Sequence, residues 1–225
     1  MVLFVIASAL ALVAKVFDME TLMIVTKPMV IPAIFYYYLQ TKTRPVNILF
    51  SLALWLFFVA DMIMVLFPDP VYGIFWVMGA GIGGYLILLK FAVNDCPARK
   101  FNLYNIVFVG LLLLLLGYFL FTVLSLNNVS VQLNYVMYLV YGIVLISLAT
   151  VSALNYLSNN STVFLYLSSM ALCIVVSDLF YCISKFMIRL PIIDNINLFF
   201  QFMSYFFMVK YFNARTPEIL MKQPN

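Results

Sequence analysis

Phe164–Phe186 reads FLYLSSMALCIVVSDLFYCISKF. A bilayer span needs about 20 mostly apolar residues, and this stretch meets that length with one aspartate, Asp178, and one lysine, Lys185, near its end. Ser51–Phe67, SLALWLFFVADMIMVLF, has the same character around Asp61. A charged carboxylate at the centre of a span costs about 2.5–3.5 kcal/mol on insertion scales, so an acid kept there marks a functional site by default.

The whole chain agrees with these two stretches. Its 225 residues are 66% hydrophobic and 9% charged, with a mean hydropathy of +1.12. A soluble domain is about 45–50% apolar and about 25% charged, so the solvent of this chain is lipid. The expected fold is all-α: a polytopic membrane bundle of about eight transmembrane helices. The spans are read as Val2–Val16, Met23–Leu39, Val46–Leu66, Val71–Val93, Leu103–Leu126, Val131–Leu157, Thr162–Met187 and Ile193–Phe212. The first is short, and Ala7-Ser8-Ala9 mimics a signal-peptidase site. It has no basic leader and seven spans follow, so it is expected to stay. Short connections make neighbours antiparallel. Residues 1–214 then form a single eight-helix domain, and 215–225 a short tail.

Basic residues set orientation. Lys42, Arg44, Lys90, Arg99, Lys100, Lys210, Arg215 and Lys222 fall on one side, and Lys15, Lys27, Lys185 and Arg189 on the other. Both termini are therefore expected in the cytoplasm, and the expected location is a bacterial inner (plasma) membrane. In that topology Lys27, Asp61, Asp178 and Gln201, from four helices, all lie in the outer half. Lys27 is read as an anchor at the outer end of helix two, with Pro28 as a first-turn proline.

Absences narrow the chemistry. There is no histidine, which removes His-based metal sites, Ser-His-Asp and Cys-His catalysis and imidazole proton relays. Cys96, Cys173 and Cys182 form no C-x-x-C pair, so neither a disulfide frame nor a thiolate metal site is indicated. The net charge of +4 is scattered through short loops with no basic run, and no nucleic-acid partner is expected. No metal and no cofactor is expected. Acid–base work falls to carboxylates, lysine, tyrosine or water.

Helical periodicity places Asp178, Cys182 and Lys185 on one face, with Ser177 turned about 100° away. Asn134, Tyr138 and Tyr141 share a face of the sixth span and could line a polar pocket. Gly79-Ala80-Gly81-Ile82-Gly83-Gly84 contains G-x-G-x-x-G, but without a preceding strand it is no dinucleotide site. Small residues at four-residue spacing read as a helix-packing stripe. Asn128-Val129-Ser130, Asn159-Asn160-Ser161 and Asn160-Ser161-Thr162 are glycosylation sequons, relevant in a secretory setting alone.

Thr26-Lys27-Pro28 at the second helix, Ala60-Asp61 late in the third, Ser177-Asp178 in the penultimate helix and Gln201 in the last resemble, in order and spacing, the YhhN-like lysoplasmalogenase family over most of the chain. Two departures stand out. The family's usual Gly-Asp is Ala60-Asp61 here, and its F-x-x-x-H-x-x-Y stretch in the fourth helix is replaced by GIGGYLILLKF (Gly81–Phe91), without histidine; an activity that needed that histidine would be lost. The resemblance implies hydrolysis of the vinyl-ether bond of lysoplasmalogens to a fatty aldehyde and a glycerophospho-alcohol. Asp61 and Asp178 would be the catalytic pair. Lys27, at headgroup depth, would meet the substrate phosphate, and Gln201, Tyr141, Asn134 and Ser177 would bind substrate. The partners implied are a lysophospholipid and the bilayer. The alternative is a proton-coupled transporter or a non-catalytic lipid-binding membrane protein using the same acids.

Overall fold

The computed structural model describes residues 1–42, 45–66, 72–96, 103–126, 132–187 and 190–215; at 72, 74, 126 and 132–134 it describes the backbone alone. Eight helices follow in order: α1 (Val2–Val16), α2 (Glu20–Thr41), α3 (Ile48–Leu66), α4 (Tyr72–Asn94), α5 (Leu103–Leu126), α6 (Gln132–Asn159), α7 (Thr162–Phe186) and α8 (Pro191–Ala214). Seven are long and apolar enough to cross a membrane. The exception is α1, whose 15 residues rise about 22 Å, short of a hydrocarbon core of about 30 Å. Arg44, Arg99, Lys100, Arg189 and Lys222 of the orientation argument lie outside the described residues, as do the sequon at 128–130 and residues 216–225 of the expected tail.

The reading of the second span is corrected in one respect. α2 begins at Glu20, three residues before the expected Met23, with an acid in its first turn where the helix dipole favours negative charge. Lys27 and Pro28 are thus two turns inside the helix, not at its end. The helix carries Pro28 and Pro32 internally. An internal proline removes one backbone bond, and nearby Thr26 Oγ1 donates to the Leu22 carbonyl at 2.8 Å. Two reversals use residues that tolerate left-handed backbone: Asp18 (φ 51) between α1 and α2, and Asn160 (φ 42) between α6 and α7.

Six helices close a ring in the order α3, α4, α6, α7, α8, α2 and back to α3. α1 packs outside against α2 and α8, and α5 outside against α6. The outward face of α5 is bare apolar surface: Leu114, Tyr118 and Phe121 are exposed, as a lipid-facing helix requires. The glycine stripe works at specific positions. A Cβ on Gly84 would lie 2.6 Å from the Phe57 ring, and one on Gly83 3.2 Å from Leu56, so α3 and α4 approach where no side chain intervenes. Gly79 faces open space and is not part of that contact.

The two ends of the ring differ. One end is solid: Phe212 stacks on Phe50 (4.0 Å) and meets Phe91 edge-on (4.9 Å), and Tyr38 closes on Phe50 (4.7 Å). Arg215, assigned to the tail from sequence, seals this end. Its Nε and Nη2 each donate to the buried carboxylate of Asp95 at 2.6 Å, its guanidinium covers the Phe91 ring at 4.8 Å, and the Tyr211 hydroxyl donates to the same carboxylate. The hydrogen bonds of Arg215 to Asp95 raise its guanidinium pKa above the ordinary value. The other end of the ring is hollow.

Candidate functional site

The hollow end holds a cavity of about 440 Å³, lined mainly by apolar side chains of α3 to α8. Asp61 and Asp178 both line it. They reach it from α3 and α7 on opposite sides of the ring, and each is held differently.

Asp61 is 4% exposed and Lys27 7%. The Lys27 ammonium is 3.3 Å from Asp61 Oδ1 and 3.5 Å from Met64 Sδ. Gln201 Nε2 donates to Asp61 Oδ1 at 3.1 Å and to the Tyr205 hydroxyl at 3.0 Å, and Tyr205 donates to Asp61 Oδ2 at 3.3 Å. Gln201 and Tyr205 are four residues apart on α8 and so share a face. A buried charge is tolerable when paired and hydrogen-bonded, and Asp61 meets both conditions. Of the four polar residues expected in the outer half, Lys27 and Gln201 both meet Asp61 directly.

Asp178 is held by a phenol. Tyr141 donates to its Oδ2 at 2.7 Å, and the Tyr141 oxygen lies 3.3 Å from that of Tyr85. The ring of Tyr85 packs on Tyr141 (5.5 Å) and on Phe57 (5.3 Å), and Phe57 packs on Tyr205 (6.1 Å). A continuous aromatic wall therefore runs from the partner of Asp178 to the partner of Asp61. Gly81 permits it, because a Cβ there would stand 3.3 Å from the Tyr141 ring.

No family model, no curated sequence and no solved structure matches this chain.

The remaining expected residues fall as follows. Cys182 and Lys185 line the cavity with Asp178, as the shared helical face requires. Tyr138 lines it with Tyr141 and packs edge-on against Phe186 at 6.1 Å. The Asn134 side chain lies outside the described residues. Ser177 borders the cavity, but its hydroxyl donates to the Asn197 carbonyl at 3.1 Å, and Asn197 Nδ2 donates back to the Ser177 carbonyl at 2.7 Å. This reciprocal clamp ties α7 to α8 beside Asp178. Tyr85, Tyr205 and Asn197 were not anticipated. With 15 tyrosines in the chain, nothing local separates Tyr85 from a packing residue; for Tyr205 the usable signal was its four-residue spacing from Gln201.

The site combines three features: a carboxylate paired with an ammonium, a second carboxylate held by a phenol, and an apolar volume of the kind that suits a hydrocarbon chain.

Proposed function

We propose that this protein is a membrane-embedded, lysoplasmalogenase-like hydrolase that cleaves the vinyl ether of lysoplasmalogens to a fatty aldehyde and a glycerophospho-alcohol. The observation that carries the reading is that two intramembrane carboxylates with unlike partners line one apolar cavity.

Vinyl-ether hydrolysis needs a proton on carbon, then water on the adjacent carbon. Asp178 supplies the proton: its partner is a phenol, whereas Asp61 faces the Lys27 ammonium at 3.3 Å. The π electrons form the new C–H bond at the β-carbon, and a lone pair of the ether oxygen shifts toward the α-carbon, which leaves an oxocarbenium ion. Asp61 stabilises that positive charge and takes a proton from the water that attacks the α-carbon. As the hemiacetal breaks its bond to the glycerol oxygen, Asp61 returns its proton to that oxygen, which leaves as the alcohol, and Asp178 takes the proton of the hemiacetal hydroxyl, so the aldehyde remains and both acids are restored. General acid–base steps of this kind contribute about 10²–10⁴-fold each. The chain uses its own carboxylates throughout, so the missing helix-four histidine costs this mechanism nothing. Lys27 acts here on Asp61 and not on the substrate phosphate. In the same reading the protein sits in a bacterial inner membrane with both termini in the cytoplasm, following the eight-to-four distribution of basic residues.

The test is hydrolysis by purified protein in D2O. The expected product is a fatty aldehyde carrying one deuterium at C2. Uptake of lipid or protons without aldehyde, or fatty-acid release from an acyl lysophospholipid instead, contradicts the proposal.

A further inference from the structure

α5 stands outside the ring, packed on α6 and touching α7, yet Leu116, Phe119, Leu120 and Val123 of α5 line the main cavity. They recur at helical spacing on one face, and Leu116 and Val123 are buried. The cavity therefore leaves the ring on this side. Its path runs past α6. Tyr141, which holds Asp178, and Gly142, where a Cβ would run into Leu120, both line it. Ile146 is four residues beyond Gly142, on the same face, and lines it too. On α7, Val175 and Cys182 line it about one turn to either side of Asp178. An arm of the cavity thus begins at Asp178, passes between α6 and α7, and ends beneath α5.

We propose that this arm is the subsite for the hydrocarbon chain of the lipid, with the polar end of the lipid on the Asp61 side. The proposal rests on the hydrolase reading for the identity of the lipid. Three observations carry it. First, the cavity is divided by chemistry. The four α5 residues are all apolar, whereas Lys27, Asp61, Gln201 and Tyr205 form a hydrogen-bonded group on α2, α3 and α8. The polar side chains that border the arm, Tyr138 and Cys182, stand within about two turns of the hollow end of their helices. Second, Asp178 stands at the junction of the two regions. It is half-buried, whereas Asp61 is sealed, so a chain lying in the arm begins at the carboxylate that delivers the proton. Third, the arm borders the bilayer. α5 turns Leu114, Tyr118 and Phe121 outward and meets α7 along a short seam. Hydrocarbon is the medium on the far side of that seam, and an apolar volume open to it is suited to a hydrocarbon chain.

Photolabelling tests the inference without requiring turnover. The probe is a 1-O-alkyl lysophosphatidylcholine with a carbene precursor at mid-chain. It is irradiated with the full-length protein in nanodiscs, and adducts are mapped by peptide mass spectrometry with and without the same lipid lacking the precursor. Wild type is expected to carry adducts on Leu116, Leu120 or Ile146 that fall about tenfold at a competitor concentration of about ten times its Kd. Adducts on the outward Leu114, Tyr118 and Phe121 are expected to ignore the competitor. I146F and V123F fill the arm from α6 and from α5. Each is expected to lower the competed adducts about tenfold, the effect of overpacking an apolar site, and to leave the outward adducts unchanged. Competed adducts on Ala60 or Met64 of α3 would put the chain on the opposite side of the cavity. Adducts on the outward residues alone would leave the arm empty, and undiminished competed adducts in both filled variants would remove the chain from it. Each of these three results overturns the proposal. Competed adducts in the arm without vinyl-ether hydrolysis overturn the hydrolase reading and leave the chain subsite standing; hydrolysis with competed adducts on α3 does the reverse.

Discussion

Lys27 and Asp61 are two buried charges whose effects separate when they are changed singly or together. Removing one member of a buried pair leaves the other uncompensated at about 3–5 kcal/mol, whereas replacing both with apolar groups is often neutral. K27M and D61L are each expected to lower thermal stability in detergent, and K27M/D61L to recover most of that loss while remaining inactive. Recovery of stability without activity identifies the pair as functional; an active double variant contradicts that role. The acids themselves were legible in the sequence because charge in hydrocarbon is costly wherever it occurs. Their partners were legible only by depth. Topology put Lys27 and Gln201 level with Asp61, but azimuth around a helix bundle is set by packing. Tyr141 was legible as a pocket-facing residue of the sixth span, but Tyr85 was invisible for the same reason: the two meet through one shared oxygen contact at 3.3 Å, and no spacing in a single chain encodes a contact between α4 and α6.

Among the elements, α4 carries the clearest mechanical prediction. A methyl on Gly84 would press on Phe57, 2.6 Å away, and Phe57 is wedged between the rings of Tyr85 and Tyr205. G84A is expected to cost about 1–3 kcal/mol by overpacking and to lower activity through the displaced tyrosines. G79A, which meets nothing within 4 Å, is expected to change neither. Thermal unfolding and turnover of the two variants side by side check this, and equal behaviour would contradict the packing account. The glycine run was readable as a packing stripe because small residues four apart share a face. Which of them touch was not, since that depends on the position of α3. The boundary of α2 was misjudged because Pro28 looks like a helix start; the first-turn acid at Glu20 and the residues between extend the helix past it.

At the scale of the whole molecule, one end of the ring is filled with aromatic rings and the other is open. The solid end is locked by Asp95, 1% exposed, against Arg215, and the alanine variant R215A is expected to cost on the order of 3 kcal/mol, or about 6–12 °C in Tm for a chain of this size. Because the lock is at the far end from the carboxylates, the folded fraction should keep a near-normal KM; a large rise in KM would contradict the separation of the two ends. Composition alone made the all-helical membrane class legible, and hydropathy placed the spans to within a few residues. The ring order, and with it the cavity, follows from which helix faces fit together, which hydropathy does not report. The central claim is that Asp178 delivers the proton to the bound lipid. The most direct test is aldehyde release from a lysoplasmalogen by wild-type protein and by D178N, with KM and kcat measured separately. The account predicts a fall in kcat of at least about 100-fold with KM little changed. A D178N variant that keeps kcat within about threefold of wild type, well short of a general-acid contribution, would contradict it.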